Sequence, residues 1–434
     1  MLGLLALAAC GRAAPTPTPT PTPMPTPTPS AGVTPTPTVS VVPTPTPEAP
    51  DTELTRWLGM VPLAYAHGDW DVWYGDRRYF QQLQPPGRVN GGPAYEEAVQ
   101  QVAAQLAGRY GEEGAQLFQG IPEPRGLRTS NFAITQLRVM GWEKYQDIAV
   151  QQRKSPFPEL LVARWHLDPA EFAATLQGFG YLRDSYEGVD YWRILEDREA
   201  NFNVIITWHT FGGMNRVALH DGLLVTAPAT AVLHQALDSL AGRIPSLLED
   251  PSFRGLALAL EEVQAAVFFP PPDGDTWKLP KEGWERLLEM YGSWGTLHPY
   301  RRAALGYATD GRQGEVRLAL YYDEPRWAAE DAAEVVRRWD TYNLSFMGSP
   351  GVPLERVCSP LRPQVRLAPR GSVLVGRCTV DLSAFERDSY DGPPEVAQLQ
   401  RLGDLGRAAS VWYRMVEVRD VYFLAPDLRA LATR

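Results

Sequence analysis

The sequence predicts an α+β protein: tandem repeats related to the ferredoxin-like fold, each an antiparallel sheet with helices on one face, carried after a disordered Pro-Thr stalk. Three observations predict it. First, LVARWHLDPAEF at 161–172 aligns with LVGRCTVDLSAF at 374–385, RDSYEG at 183–188 with RDSYDG at 387–392, and GLLVTAPATAVL at 222–233 with DVYFLAPDLRAL at 420–431. Matches in one order point to an internal duplication with a shortened second copy. Second, the first copy reads β-α-β-β-(β)-α, the order of an antiparallel sheet with packed helices. Third, Pro15 to Pro50 is mostly Thr-Pro, with no apolar periodicity to bury and prolines that forbid helix and ladder alike.

The elements follow in chain order. Residues 1–9 read as a leader, because Leu2 to Ala9 are small and aliphatic yet too short to cross a bilayer of roughly 30 Å. Residues 10–50 form the linker, extended and solvated, reaching roughly 3.1 Å per residue in a polyproline II conformation. An N-terminal α+β part is expected over 51–157, with a helix around Tyr95 to Tyr110. In HGDWDVWYGD alternation predicts an edge strand with Trp70, Val72 and Tyr74 on one face and Asp69, Asp71 and Trp73 on the other.

Repeat copy 1 is placed at 158–270. LLVARWHL is a strand, and Asp168-Pro169-Ala170-Glu171 starts a helix, with Asp as cap and Pro in the first turn. Tyr191 to Leu195 and Val204 to Thr210 read as extended, NRVALHDGLLVTAP as a hairpin turning at Asp221-Gly222, and ATAVLHQALDSLAG as a helix. Asp250-Pro251 caps a further helix, and VQAAVFF is a buried strand. The third part, 271–434, holds the shortened copy 2 at 370–434. In it EVRLALYY leads into a helix after Pro325 whose apolar positions fall at Ala329, Ala332, Ala333, Val336 and Trp339.

The chain of 434 residues carries a net charge of -10, and its 41 basic residues show no cluster of five or more. Nucleic acid and an anionic membrane surface are therefore not expected partners. Lys occurs only at Lys144, Lys154, Lys278 and Lys281, a composition that says nothing about activity. No GxSxG elbow or GxxxxGK[ST] loop occurs, and the six histidines, His67, His166, His209, His220, His234 and His298, form no HExxH and no zinc spacing with cysteine. No catalytic residue, no metal site and no cofactor is expected, and an enzyme is the less favoured reading.

Leu7-Ala8-Ala9-Cys10 resembles the lipobox of bacterial lipoproteins. That resemblance implies that the leader is removed and that Cys10 is acylated as a palmitate-bearing anchor, which makes the membrane a partner through lipid. The leader lacks the Lys or Arg that usually precedes the apolar run. Export in turn favours a disulfide between Cys358 and Cys378 over a redox or metal pair, with two free buried thiols as the alternative. The candidate ligand contacts are Asp69, Asp71, Trp70, Trp73 and Tyr74, since acids interleaved with aromatics stack on sugars or hold calcium; an ordinary strand explains the same pattern.

The run from GWEKYQDI through the DPAEF helix, the YEG turn and the hairpin to PSLLEDPSFRGLALAL is similar to an uncharacterised family of exported bacterial proteins with paired ferredoxin-like domains. The likeness covers about residues 55 to 345 and rests on packing and turn residues, so it implies a fold and no activity. Arg164 and Arg377, Asp168 and Asp381, and Tyr186 and Tyr390 recur in both copies, which assigns them to the fold. The functional expectation is an extracytoplasmic, lipid-anchored cell-surface protein with a non-catalytic binding or envelope-structural role, toward a cell-wall glycan or a protein partner. The alternatives are a surface enzyme acting on glycans and the substrate-binding lipoprotein of a transporter.

Overall fold

The computed structural model describes residues 40–42, 52–66, 71–76, 146–154, 157–165, 168–201, 212–272, 281–310, 313–346, 349–354, 358, 360–368, 370–381, 412, 415–416 and 421–432. The leader, Cys10, the segment around Tyr95 to Tyr110, Val204 to Thr210 and the RDSYDG echo lie outside them. Residues from Thr38 onward form one compact unit.

The strands are β1 (Ser40–Val42), β2 (Asp71–Asp76), β3 (Gln146–Lys154), β4 (Phe157–Trp165), β5 (Leu182–Tyr186), β6 (Val189–Arg193), β7 (Arg216–His220), β8 (Leu223–Ala227), β9 (Ala265–Phe269), β10 (Arg302–Thr309), β11 (Gln313–Tyr322), β12 (Asn343–Phe346), β13 (Ser349–Pro353), β14 (Arg362–Ala368) and β15 (Gly371–Asp381). The helices are α1 (Glu53–Leu58), α2 (Pro169–Gly178), α3 (Thr230–Leu240), α4 (Pro251–Leu260), α5 (Lys281–Tyr291), α6 (Trp327–Thr341) and α7 (Leu428–Ala432).

The class is α+β: two antiparallel sheets plus helices. Thirteen strands form one sheet in the order β1-β14-β15-β11-β10-β9-β2-β3-β4-β8-β7-β6-β5, and β12-β13 form the second. The large sheet is continuous across residues 157/158 and 270/271, because β3 pairs β4, β2 pairs β9 and β9 pairs β10. Among the described residues its one parallel pair is β1 with β14. That edge strand falls inside the tract expected to be unstructured, at Ser40-Val41-Val42, where proline gives way to β-branched residues.

Local sequence explains most elements. Asp168 caps α2 by accepting from the amides of Ala170 and Glu171 at 2.8 and 3.0 Å. Asp250 caps α4 through Ser252 and Phe253. The β7–β8 hairpin turns at Asp221 and Gly222, with φ of 50° and 74°, the two positive values of a type I′ turn. The same device closes β5–β6 at Glu187 and Gly188, φ 49° and 80°.

Two arrangements differ from the sequence expectation. Helices cover both faces of the sheet, not one: α1, α3 and α4 share a core with Leu160, Val162, Val225 and Phe268, while α2 packs on Leu161, Ala163 and Leu224. On that second face α5, α6 and α7 share a core with Val267, Leu305, Leu318 and Leu374. The reason is in β4 and β9, whose continuous apolar runs leave no polar face to meet water. The buried face of α6 is also rotated from the expected one. Ala328, Asp331, Ala332, Val335, Arg338 and Trp339 are buried, whereas Ala329 and Ala333 are exposed. The equivalence of the copies fades toward the end: GLLVTAP forms strand β8, but VYFLAP forms a 3-10 turn at Tyr422–Leu424.

Candidate functional site

Asp69 and Trp70 lie outside the described residues. Asp71, Trp73 and Tyr74 sit on β2, which is central, not the expected edge strand, and buried on both faces: Trp73 in the core with α5 and α6, Tyr74 in the core with α1 and α4. Asp71 is buried as well. Within the described residues the alternation holds, Val72 and Tyr74 on one face and Trp73 on the other, and both aromatics are packed in the cores. Cys358 and Cys378 are disulfide-bonded, with Cα atoms 5.6 Å apart, inside the larger core.

The polar groups that do converge lie elsewhere, along the segment from Tyr291 to Tyr300 that links α5 to β10. One face of α6 holds this strap. Glu334 accepts from the Gly295 amide at 2.8 Å, and Asp331 accepts from the His298 amide at 2.8 Å. Arg337 donates to the carbonyl of Ser293 and Arg338 to that of Gly295. Trp294 donates its indole N–H to Thr341 at 3.0 Å. Residues 331, 334 and 338 fall at i, i+3 and i+7, one helical face, so three charges meet the strap together. From the other side the Leu297 amide donates to the carbonyl of Pro426, and Tyr300 donates to that of Leu424 at 2.7 Å.

Arg338 is the hub. It is buried and donates to Glu334 at 2.9 Å and to the carbonyls of Phe423 at 3.0 Å and Ala425 at 2.7 Å, as well as to Gly295. Burial lowers its pKa from the ordinary arginine value, and the bond to Glu334 opposes that shift. Glu334 is pushed up by burial, but hydrogen bonds from Arg337 and Arg338 outweigh this and hold its carboxyl below the ordinary range. A cleft of about 380 Å³ opens beside the hub, lined by Tyr291, Gly292, Ser293, Trp294, Gly295 and Thr296 on the strap and by Asp427, Leu428 and Arg429 at the start of α7. Its walls mix stacked aromatics, Tyr291 on Trp294 at 4.3 Å, with hydroxyls and charges of both signs. Such a mixture suits recognition of a polar molecule.

At the other end of the strap, buried Asp331 accepts from His298 Nδ1 at 2.7 Å and from the Tyr322 hydroxyl at 3.0 Å. His298 is thereby fixed with its Nδ1 proton toward Asp331 and Nε2 outward, its ring stacked on Trp327 at 5.2 Å. Burial, reinforced by Asp331, raises the Tyr322 pKa well above the ordinary phenol value, so the hydroxyl stays a donor. None of these groups stood out in the sequence. The readable signal was a charged Asp-Glu-Arg spacing on the otherwise apolar face of α6, together with the Gly292 and Gly295 that shape the strap. Among the described residues no three His, Cys, Asp or Glu side chains gather as a metal cluster, and no helix is long and apolar enough to cross a membrane.

Comparison with known proteins finds no family model and no curated protein that matches this chain. Among solved structures, crystal form III of TP0453 aligns with a TM-score of 0.28 and 10% identity, covering 74% of this chain and 94% of that one. Crystal form I of TP0453 aligns with a TM-score of 0.28 and 8% identity, covering 82% and 97%. A likeness this weak carries no argument about fold or function.

Proposed function

We propose that this chain is an extracytoplasmic protein anchored to the cell membrane through a lipid on Cys10, displaying its sheet body on the Pro-Thr spacer in a non-catalytic binding or envelope-structural role. The observation that carries the reading is the Cys358–Cys378 bond, with Cα atoms 5.6 Å apart in the core. A disulfide of this kind persists in an oxidising compartment and not in a reducing cytoplasm. The lipobox-like Leu7-Ala8-Ala9-Cys10 supports the same location.

Binding is assigned to the cleft between the strap and α7. Its partner class is a cell-wall glycan, whose hydroxyls match the Ser293 and Thr296 hydroxyls and the charged groups of Asp427 and Arg429. A ligand that binds only the folded state must raise the melting temperature. The test is a thermal-shift panel of wall glycans and polysaccharides on the full chain. A reproducible rise that Thr296→Trp abolishes by filling the cleft supports the reading. A rise unaffected by that change moves the site elsewhere, cleavage of the glycan makes the protein an enzyme, and a flat panel leaves the structural or protein-partner role.

A further inference from the structure

From the geometry around His298 we infer a surface site for a borderline divalent transition ion, with His298 Nε2 and Glu330 Oε2 as its two protein ligands. The two atoms lie 3.3 Å apart. That is long for a charge-assisted hydrogen bond, which runs about 2.7–2.9 Å, and the same ring shows the short case on its other nitrogen, where Nδ1 meets Asp331 at 2.7 Å. It matches the separation of two ligands on one tetrahedral ion: with metal–nitrogen and metal–oxygen bonds of about 2.1 Å, the tetrahedral edge is ~3.4 Å.

The surroundings prepare the ring as a ligand. A metal-binding imidazole typically donates its second N–H to a carboxylate, which fixes the tautomer and aims the free nitrogen. Asp331 does this here, and is itself held by the Tyr322 hydroxyl and the His298 amide. Trp327 stacks on the ring and limits its rotation. His298 and Glu330 are 37% and 48% exposed, so an ion reaches them from solvent, and water or a donor from a bound molecule completes the coordination. Imidazole with carboxylate selects zinc-like ions over Mg²⁺, which takes oxygen ligands.

The test is isothermal titration of the full, oxidised chain with ZnCl₂ and, separately, MgCl₂, on the wild type, His298→Gln and Glu330→Gln. Both substitutions are at half-exposed positions, and unchanged melting temperatures without metal confirm that the variants fold. The expected result is one saturable Zn²⁺ per chain, weakened at least tenfold in either variant, with no Mg²⁺ uptake at that site. Absence of saturable Zn²⁺ uptake, equal uptake in His298→Gln, or a loss confined to His298→Gln overturns the assignment. None of these outcomes bears on the membrane anchor or on the glycan cleft.

Discussion

At the β4 end of the sheet, Leu161, Ala163, Val217 and Leu224 are covered on one face, among the described residues, by the single helix α2 through Phe172 and Leu176. At the β15 end, Leu374 and Cys378 lie on the same face beneath α5, α6, α7 and the 3-10 turn, with the disulfide and the strap joined to them. The strands at the two ends echo each other in sequence, so the strand does not dictate its cover. What both ends keep is an arginine on the opposite face: Arg164 pairs with Glu53 of α1 at 3.3 Å, and Arg377 with Glu261 at the end of α4 at 2.9 Å. The repeat thus preserves the tie between strand and helix, while the second face is free to differ. Beneath the heavier cover α6 buries Asp331 and Arg338, and the cleft lies beside Arg338.

The comparison breaks most visibly at buried arginine. Arg338, in the heavy cover, has its donors spread over Glu334 and three carbonyls. Arg302, on the face of α4, donates to the Ala66 carbonyl at 2.6 Å and lies over the Phe253 ring at 4.2 Å, but its Nε and Nη1 meet no acceptor among the described residues. Burial lowers the Arg302 pKa to about 10. Arg338→Met is expected to destabilise by about 3–5 kcal/mol, because four acceptors lose their donor. Arg302→Met should stay within about 1 kcal/mol of wild type or stabilise, since it removes a charge that is poorly satisfied. Urea unfolding of both variants measures the contrast, and equal losses would deny the difference between the two faces.

The next effect belongs to the disulfide. Cys358 and Cys378 are separated by 20 residues, and the double alanine variant is expected to lose about 3 kcal/mol by the chain-entropy model. Hydrogen exchange should place that loss at the β15 end and leave β4 to β8 protected. An even loss across the sheet would show that the two ends unfold as one.

The smallest effect concerns the lighter end and is one of pH. His234 on α3 stacks on Tyr186 at 3.6 Å, its Nε2 is buried without an acceptor among the described residues, and burial lowers its pKa. A histidine depressed in the folded state binds its proton more readily unfolded, so stability falls as pH drops below the unfolded value of about 6.5 and stops falling once pH passes the depressed value. Melting temperatures between neutral and mildly acidic pH should show this decline in wild type and less of it in His234→Phe.

How much of this was legible follows from where each interaction closes. Caps and turns close within four residues, so Asp168, Asp250 and Asp221-Gly222 could be read directly. The two-sided burial of the sheet was also written in the run Leu160-Leu161-Val162-Ala163, where even and odd positions are equally apolar. The strap was not legible, because its bonds to α6 join residues 33 to 47 positions apart, and Asp331 and Arg338 are charged residues on a buried face that a hydrophobic pattern cannot assign. Strand β5 was hidden for the opposite reason: Leu182 to Ser185 are all exposed, so burial leaves no period in them. Alternation alone does not tell a central strand from an edge one, so the pairing of β2 on both sides is not readable from Trp73 and Tyr74.

The proposed lipid anchor rests on Cys10, and the most direct measurement is made there. Cells producing the wild-type chain and Cys10→Ser are fractionated by detergent phase separation, and the recovered chains are weighed intact. The account predicts that the wild type partitions with detergent, begins at Cys10 and carries acyl chains, while Cys10→Ser stays in the aqueous phase. An unmodified Cys10 in a wild-type chain that remains aqueous would contradict it.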